Sequence, residues 1–282
     1  MHSELRLSTK QAQSDHTVLD DCYCTPPIKI LTLPHTQTSG WPGTLAAMQM
    51  SSSPGLLAGD TIDVQIRLAA HTRLNLFTQA FTRVQAMSAA NAEARQHTTI
   101  ELAHGSHLSY LPHPLVLHAD GALTQTTEIN LADDCVLILG EIMACGRVLN
   151  GERWRFRYLS SHLAIRHHHR LVLSDNIQWH PQTQDLAVIG QMEDYSHQAG
   201  LYYVHTGISE SAMRARVDAL YQALSAQWPV ADAQCLWGVS LANASTLCVR
   251  ALAHQAQVLQ SLLNEAATWL RQPQSPSLAP SK

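Results

Sequence analysis

The chain has 282 residues, enough for one large hydrophobic core or two smaller ones. Its 18 Lys and Arg against 22 Asp and Glu give a formal net charge of −4, which argues against a basic surface for nucleic acid. Charged residues form 14% of the sequence, below the roughly 25% of ordinary soluble domains, which predicts neutral surface suited to contact with protein partners.

The sequence contains no segment that predicts export or insertion into a membrane. Residues 1–15 are polar and lack the apolar stretch of a secretory signal. The apolar run at residues 136–139 is far too short to cross a bilayer. We therefore expect a cytoplasmic protein that does not bind membranes.

Alternation of apolar and polar residues with a period of two predicts short strands through most of the chain. Every second side chain is apolar in residues 62–68, and residues 154–158 alternate aromatic rings with arginines. The segments 97–102 and 106–111 flank a His-Gly pair and predict a hairpin. Residues 135–142 are apolar on both faces, so this strand is expected deep inside a sheet.

Two helices are predicted closer to the C-terminus. Ser209 or Ser211 can cap a helix that ends before Pro229. Its apolar face consists of Met213, Val217, Leu220, Tyr221 and Leu224. Two strands, at residues 236–240 and 246–250, separate it from a final helix. The apolar face of the final helix consists of Val258, Leu259, Leu262, Leu263, Ala266 and Leu270. The expected fold is mainly β with two α-helices near the C-terminus, in the α+β class.

The same patterns divide the chain into three parts. Residues 1–16 are expected to form a flexible N-terminus, and residues 272–282, rich in Pro and Ser, a disordered tail. Residues 17–271 form one predicted domain, which is β-rich over residues 17–205 and contains both helices and strands over residues 206–271.

Six cysteines and 17 histidines raise the question of a metal site. Cys22 and Cys24 form a Cys-x-Cys pair that fits either a soft metal site or two ordinary cysteines near the start of the first strand. The second interpretation is favoured because no second cysteine pair completes a four-ligand set. The remaining four lie in apolar stretches and are interpreted as small buried hydrophobic residues. These are Cys135, Cys145, Cys235 and Cys248.

The triplet of His167, His168 and His169 allows two interpretations. On one straight strand, His167 and His169 would share a face and could chelate a metal ion, as in a His-rich metal-binding enzyme or a metal-storage protein. As a turn, the triplet would join two apolar arms into a hairpin. Three bulky polar residues between apolar arms fit a turn better than a core, so the turn is favoured.

Two further segments contain candidate carboxylates. Gly55 and Gly59 allow a tight turn, which Asp60 would close by accepting backbone hydrogen bonds. Glu141 interrupts an apolar strand, and a buried carboxylate there requires a partner, for which Arg147 and Arg153 are the candidates. The sequence has no phosphate-binding loop, dinucleotide fingerprint, His-Glu-x-x-His motif or Gly-x-Ser-x-Gly elbow, which argues against the enzyme classes that use them.

Taken in order, several short motifs resemble the UreD family of urease accessory proteins, called UreH in some bacteria. Each motif alone is weak, but their order along about residues 17–271 is specific. They are Gly59-Asp60, residues 78–84 (TQAFTRV), residues 111–114 (LPHP), Gly140-Glu141, Gly146-Arg147, residues 151–154 (GERW), residues 236–240 (LWGVS) and residues 247–250 (LCVR). The chain departs from the family pattern at Pro54, Ala58 and residues 85–87, and the histidine triplet has no family counterpart.

This resemblance implies stacked β-sheets and a protein that is not an enzyme. Family members bind apo-urease and a UreF-like partner, which in turn holds a UreG-like GTPase that carries nickel. Nickel would cross an internal water-filled passage of this chain without being bound tightly as a cofactor, and the complex could contain a homodimer of the chain. The alternative function is a His-rich metal-binding enzyme or metal-storage protein that uses His167 and His169. A third possibility is a pure scaffold that contacts the partners but never the ion.

A passage for nickel must bind the ion weakly enough to release it. Scattered carboxylates, carbonyls and water molecules allow this better than a closed Cys/His cage. Asp60, Asp175 and Glu141 are therefore the candidate passage residues. Asp175 also matches an acidic position of the family that the chain resembles.

Overall fold

A computed structural model describes residues 1–13, 15–33, 41–229 and 234–272. Within these residues the strands form two stacked sheets, and the expected mainly β fold with two helices near the C-terminus is confirmed. The first sheet consists, in spatial order, of β14 (Arg170–Trp179), β13 (Tyr158–His167), β11 (Ala122–Leu131), β8 (Ala94–Leu102), β5 (Thr61–Leu68), β1 (His2–Gln11) and β2 (Thr17–Cys24). The second consists of β16 (Cys235–Asn243), β17 (Thr246–Ala253), β15 (His197–His205), β12 (Val136–Ala144), β9 (His107–Leu111), β6 (Arg73–Thr78), β4 (Leu45–Ser51) and β3 (Ile28–Thr32). Two short strands, β7 (Thr82–Val84) and β10 (Leu115–Leu117), pair with each other, and β10 also pairs with β12.

The chain passes back and forth between the two sheets, and this determines which strands pair. β8 belongs to the first sheet and β9 to the second, so the predicted hairpin of residues 97–102 and 106–111 is wrong, and the two strands form an arch. The inward apolar faces of the two sheets bury each other. Because the chain crosses to the second sheet between them, neighbours along the row β1, β5, β8, β11 and β13 run parallel.

The N-terminal segment is a strand, so the expectation of a flexible N-terminus at residues 1–16 is corrected. β1 pairs in parallel with β5 and antiparallel with β2, and Leu5 and Leu7 are buried. The two leucines share this buried face with Ser3 and Thr9, so its alternation is hidden in a polar sequence. The single domain at residues 17–271 stays a prediction, and the predicted tail beyond Gln272 lies outside the described residues.

The predicted strand at residues 154–158 is also wrong, except for its last residue. Trp154 has a φ of 55°, in the left-handed region that strands do not adopt, and β13 begins only at Tyr158. The aromatic rings are nevertheless packed, since Phe156 is buried and the ring centroids of Trp154 and Trp179 lie 5.2 Å apart. Aromatic residues thus alternate in the sequence of this turn, which packs against the sheet, as they would in a strand.

The two helices, α1 (Glu210–Ser225) and α2 (Ala256–Leu270), pack against the second sheet. The Ala212 N–H donates to the Ser209 hydroxyl at 3.3 Å, which makes Ser209 the N-cap. α2 contacts β12 and β15, while the other face of β12 meets the core between the sheets. β12 is therefore buried on both faces, as its apolar sequence predicted. Neither described helix is long and apolar enough to cross a bilayer.

Candidate functional site

Along the neighbouring strands β8 and β11 the inner face of the first sheet has a polar section, which lies between the buried apolar pair Ala94 and Leu123 and an apolar section. The two strands are in register, so that Gln96 pairs with Gln125 and Thr98 pairs with Thr127. The next inward-facing pairs are Ile100 with Ile129 and Leu102 with Leu131. Because side chains alternate across a strand, all eight point to the same side, towards the second sheet. One part of the interior is therefore lined by amides and hydroxyls and the other by hydrocarbon.

A polar cavity of about 80 Å³ lies between the sheets at these glutamines and threonines. On its other side are Gln49, Tyr110 and Glu141 from three strands of the second sheet. The Tyr110 hydroxyl donates to the side-chain oxygen of Gln49 at 3.3 Å. Burial, followed by the nearby charge of Glu141, raises the pKa of Tyr110 to about 12, so this hydroxyl keeps its proton at neutral pH.

Two further cavities adjoin the central one, and the three form a row. An outer cavity of about 180 Å³ has Asp60 in its wall. It shares with the central cavity Gln49, Thr78, Thr82 and Gln96. A third cavity, of about 200 Å³, extends to α2. It shares with the central cavity Pro112, His113, Gly140 and Ile142. The cavity row therefore leads from Asp60, through the polar interior beside Glu141, to the last helix.

Glu141 is the carboxylic acid in the wall of the central cavity. Neither predicted partner reaches it, because Arg147 pairs with Glu152 and Arg153 donates to backbone carbonyls of residues 193–195. Among the described residues no hydrogen bond to the Glu141 carboxyl group is found. Desolvation, and then the negative charge of Asp175, raise the pKa of Glu141 to about 7 against the opposing effect of Arg250. Glu141 therefore changes its charge near neutral pH.

Asp175 lies beside Glu141 but does not line the central cavity. Its carboxylate lies 3.0 Å from a guanidinium nitrogen of Arg250 and accepts a short hydrogen bond from the Tyr202 hydroxyl. Burial raises the pKa of Asp175, but the hydrogen bonds from Arg250 and Tyr202 outweigh burial and hold the pKa below its ordinary value. Two of the three predicted carboxylates thus interact electrostatically, and only Glu141 has its pKa near neutrality.

Asp60 is a turn residue at the far end of the cavity row. Its Oδ2 atom accepts a hydrogen bond from the Leu57 N–H at 2.8 Å, and its Oδ1 atom lies 2.7 Å from the Met1 amine. Gly55 and Gly59 have φ angles of 146° and 77°, which agrees with the predicted turn. Asp60 is accordingly engaged by two nitrogen donors, whereas no hydrogen bond to the Glu141 carboxyl group is found among the described residues.

The histidine triplet forms a turn, as favoured above. β13 ends at His167, β14 begins at Arg170, and His168 and His169 have φ angles of 46° and 64°. His167 and His169 therefore do not share a strand face. Instead, the Nε2 atoms of His167 and His168 each lie 2.8 Å from Oδ1 of Asp133.

Cys22 is exposed and Cys24 half-buried, whereas the other four cysteines are buried, as predicted. Cys22 and Cys24 occupy the end of the second strand rather than the start of the first, with their sulfur atoms 3.9 Å apart. Burial, and then the neighbouring Cys24 thiol, raise the pKa of Cys22 to about 11. The thiol form therefore prevails at neutral pH, which disfavours metal binding by this pair.

Sequence reasoning missed the neutral residues that make the interior polar, together with Tyr202 and Arg250. A signal was present, because Gln96 and Thr98 occupy alternate positions of a strand whose later alternate positions are apolar. Arg250 likewise interrupts the apolar run of β17. The pairing of β8 with β11, which brings the polar positions together, is not visible in either segment alone.

The polar groups of the central cavity carry little fixed charge. Its amides, its hydroxyls, the His113 imidazole and the Glu141 carboxyl group can exchange contacts with a hydrated cation. They do not form the compact ligand set that retains one. Within the part of the chain that the structure describes, the only compact group of three His, Cys, Asp or Glu ligands lies elsewhere, at Asp133, His167 and His168.

Comparison with known proteins gives one consistent result. A family model described as UreD urease accessory protein matches residues 1–281. The Urease accessory protein UreD of Actinobacillus pleuropneumoniae serotype 5b (strain L20) is 47% identical over 271 residues, which cover 96% of this chain and 98% of the relative. The Urease accessory protein UreD of Haemophilus influenzae (strain 86-028NP) is 44% identical over 276 residues, covering 96% and 99%. That of strain PittEE is 45% identical over 276 residues, with the same coverage.

Proposed function

Because this chain belongs to the UreD family of urease accessory proteins, we propose that it docks on apo-urease and passes nickel to the urease active site through its own interior. It acts as a maturation factor without catalysing a reaction itself. Its further partners are a UreF-like protein and a UreG-like GTPase, and a homodimer of the chain within that complex is part of the proposal. The cytoplasmic location expected from the sequence stays a prediction.

The observation that supports the passage is the row of three adjoining cavities with a polar centre. Gln96, Gln125, Thr98 and Thr127 place polar side chains in the interior, whereas other inward positions on the same strands bury apolar area. Such a lining is suited to water and to a cation moving with its hydration shell. Glu141 can attract that cation when ionised and release it when a proton replaces it, since its pKa is about 7.

The proposal is tested by closing the cavity without changing the outer surface. Thr127→Leu places an apolar side chain in the central cavity, whereas Thr126→Leu makes the same change one residue away, on the opposite face of β11. In cells that express the urease genes with each variant, we expect Thr127→Leu to lower the nickel content and activity of purified urease several-fold. The Thr126→Leu control should leave both unchanged.

Co-purification separates the passage from the pure scaffold. Both variants should still co-purify with urease subunits and with the UreF-like partner, because neither change alters the docking surface. Full nickel content of urease with a folded, co-purifying Thr127→Leu protein would rule out the passage and favour the scaffold. Loss of co-purification in the Thr126→Leu variant alone would instead show that the outer face of β11 takes part in docking.

A further inference from the structure

Two imidazole rings and a carboxylate converge at one end of the molecule, away from the cavity row. The Nε2 atoms of His167 and His168 both lie 2.8 Å from Oδ1 of Asp133, and the two ring centroids are 4.3 Å apart. We call these three residues the histidine tip. The three side chains bring one potential ligand atom each to within 4.8 Å of one another.

The histidine tip is separated from the proposed passage by the length of the first sheet. The parallel strands β5, β8, β11 and β13 end in one row, formed by Leu68, Leu102, Leu131 and His167. Asp60 directly precedes the first residue of β5, at the opposite end of the same strands. The histidine tip is therefore a second feature of the fold and not part of the cavity row.

The backbone holds the three ligand atoms in place. His168 and His169 form a two-residue turn with left-handed φ angles, which fixes the direction of His168 relative to the strand residue His167. Asp133 lies in the connection between β11 and β12, where its carbonyl oxygen accepts a hydrogen bond from the Gly105 N–H at 3.0 Å. Two chain segments 34 residues apart thus present their ligands to one point.

We propose that the histidine tip binds a divalent transition-metal ion of the Ni²⁺ and Zn²⁺ class through Nε2 of His167, Nε2 of His168 and a carboxylate oxygen of Asp133. Imidazole and carboxylate ligands bind such ions at about 2.0–2.2 Å, so neighbouring ligand atoms around one ion lie about 3 Å apart. The two observed separations of 2.8 Å are already close to that value.

Exposure and charge favour a site that loads and unloads easily. The side chains of Asp133 and His168 are 60% and 62% exposed, so water can fill the remaining coordination positions. Among the described residues, Asp133 forms ion pairs with the two histidines and with no Lys or Arg, so no fixed cation occupies the position of the metal. The site does not depend on the proposed passage, because neither its residues nor its location are shared with the cavity row.

The test is direct metal binding by the full, tag-free chain, with Ni²⁺ alone as the probe. Equilibrium dialysis should show one equivalent of bound Ni²⁺ more for the wild type than for His168→Ala or Asp133→Asn. Where a variant still binds the ion, the affinity of the wild type should be at least ~10-fold higher. Even the outer partners of metal ligands contribute ~10–100-fold to metal affinity. The matched control is His169→Ala, which changes a histidine of the same turn and the same left-handed backbone but outside the ligand set. Thermal unfolding of each variant checks that the fold is retained.

Two outcomes would overturn the histidine tip as a metal site. If His169→Ala weakened Ni²⁺ binding as much as His168→Ala, the ligands would be another combination of the triplet. If none of the three changes altered Ni²⁺ binding, the contacts to Asp133 would be hydrogen bonds alone. Co²⁺ provides an independent readout, because its visible absorption spectrum should change on binding to the wild type and to His169→Ala but not to Asp133→Asn.

Discussion

Two adjoining sections of the interior are built by the same strands and differ only in their side chains. We call them the polar half, at Gln96, Thr98, Gln125 and Thr127, and the apolar half, at Ile100, Leu102, Ile129 and Leu131. Along β8 and β11, Ile100 and Ile129 belong to the apolar cluster between the sheets, whereas Thr98 and Thr127, two residues earlier, line a cavity. The hydrogen-bond register is continuous across the change. The backbone is therefore the same in both halves, and the choice of residue decides whether a section of the sandwich is filled or hollow.

This difference shows how a stacked β fold can carry an internal cavity without losing its stability. The apolar half buries hydrocarbon on both sheets and supplies the free energy that holds the sheets together. The polar half buries little apolar surface, so its residues are available for function. The two halves should accordingly respond in opposite ways to substitution.

The largest effect is expected in the apolar half. Ile100 is fully buried, so Ile100→Ala should lower the free energy of unfolding by about 2–5 kcal/mol through lost burial and a new cavity. Thr127→Val, in the polar half of the adjacent strand, should change it by less than about 1 kcal/mol, because a side chain of the same shape borders a cavity instead of close-packed neighbours. Urea-induced unfolding measures both, and equal losses would show that the two halves do not differ in packing.

The next effect concerns Glu141 and depends on pH. Its pKa is about 7 in the folded protein against 4.5 when unperturbed, so the folded state holds the proton more tightly. Stability from this group is fully present below pH 4.5 and is lost as the pH rises through 7, by at most about 3 kcal/mol. Glu141→Gln should therefore gain stability relative to the wild type between pH 4.5 and pH 8. A constant difference in the free energy of unfolding across that range would contradict the raised pKa.

The smallest effect is expected at the edge of the polar half, where Arg250 faces Asp175 and Glu141. Arg250→Met removes the positive charge and leaves two carboxyl groups close together. The Arg250 side chain is 44% exposed, so we expect a loss of about 1–2 kcal/mol at pH 8, below the cost of breaking a fully buried pair. The loss should shrink at pH 5, where Glu141 is protonated, and Asp175→Asn should restore part of it at pH 8. A loss that is the same at both pH values would show that charge repulsion is not its cause.

Much of the fold was predictable because strand and helix periodicity is a local property. The strand at residues 62–68, the doubly buried β12 and both C-terminal helices follow from the spacing of apolar side chains. The same reasoning was wrong for β1, where Leu5 and Leu7 are the only apolar residues of a buried face that also contains Ser3 and Thr9. It was also wrong at Trp154, where a turn imitated alternation.

The candidate site was predictable only in its carboxylates. Glu141 stood out because it interrupts an apolar strand, yet its electrostatic neighbours, Asp175 and Arg250, come from β14 and β17 and could not be named from the sequence around it. Gln96 and Gln125 became significant only once β8 and β11 were known to be adjacent and in register.

By itself the sequence determined the family of the chain, the type of most of its elements and the turn at the histidine triplet. Each of these depends on residues that are neighbours in the chain or on the order of short motifs. The tertiary structure decided which sheet each strand joins, the row of cavities, and the meeting of Asp133 with His167 and His168. Those features depend on contacts between segments far apart in sequence, which local side-chain patterns do not encode.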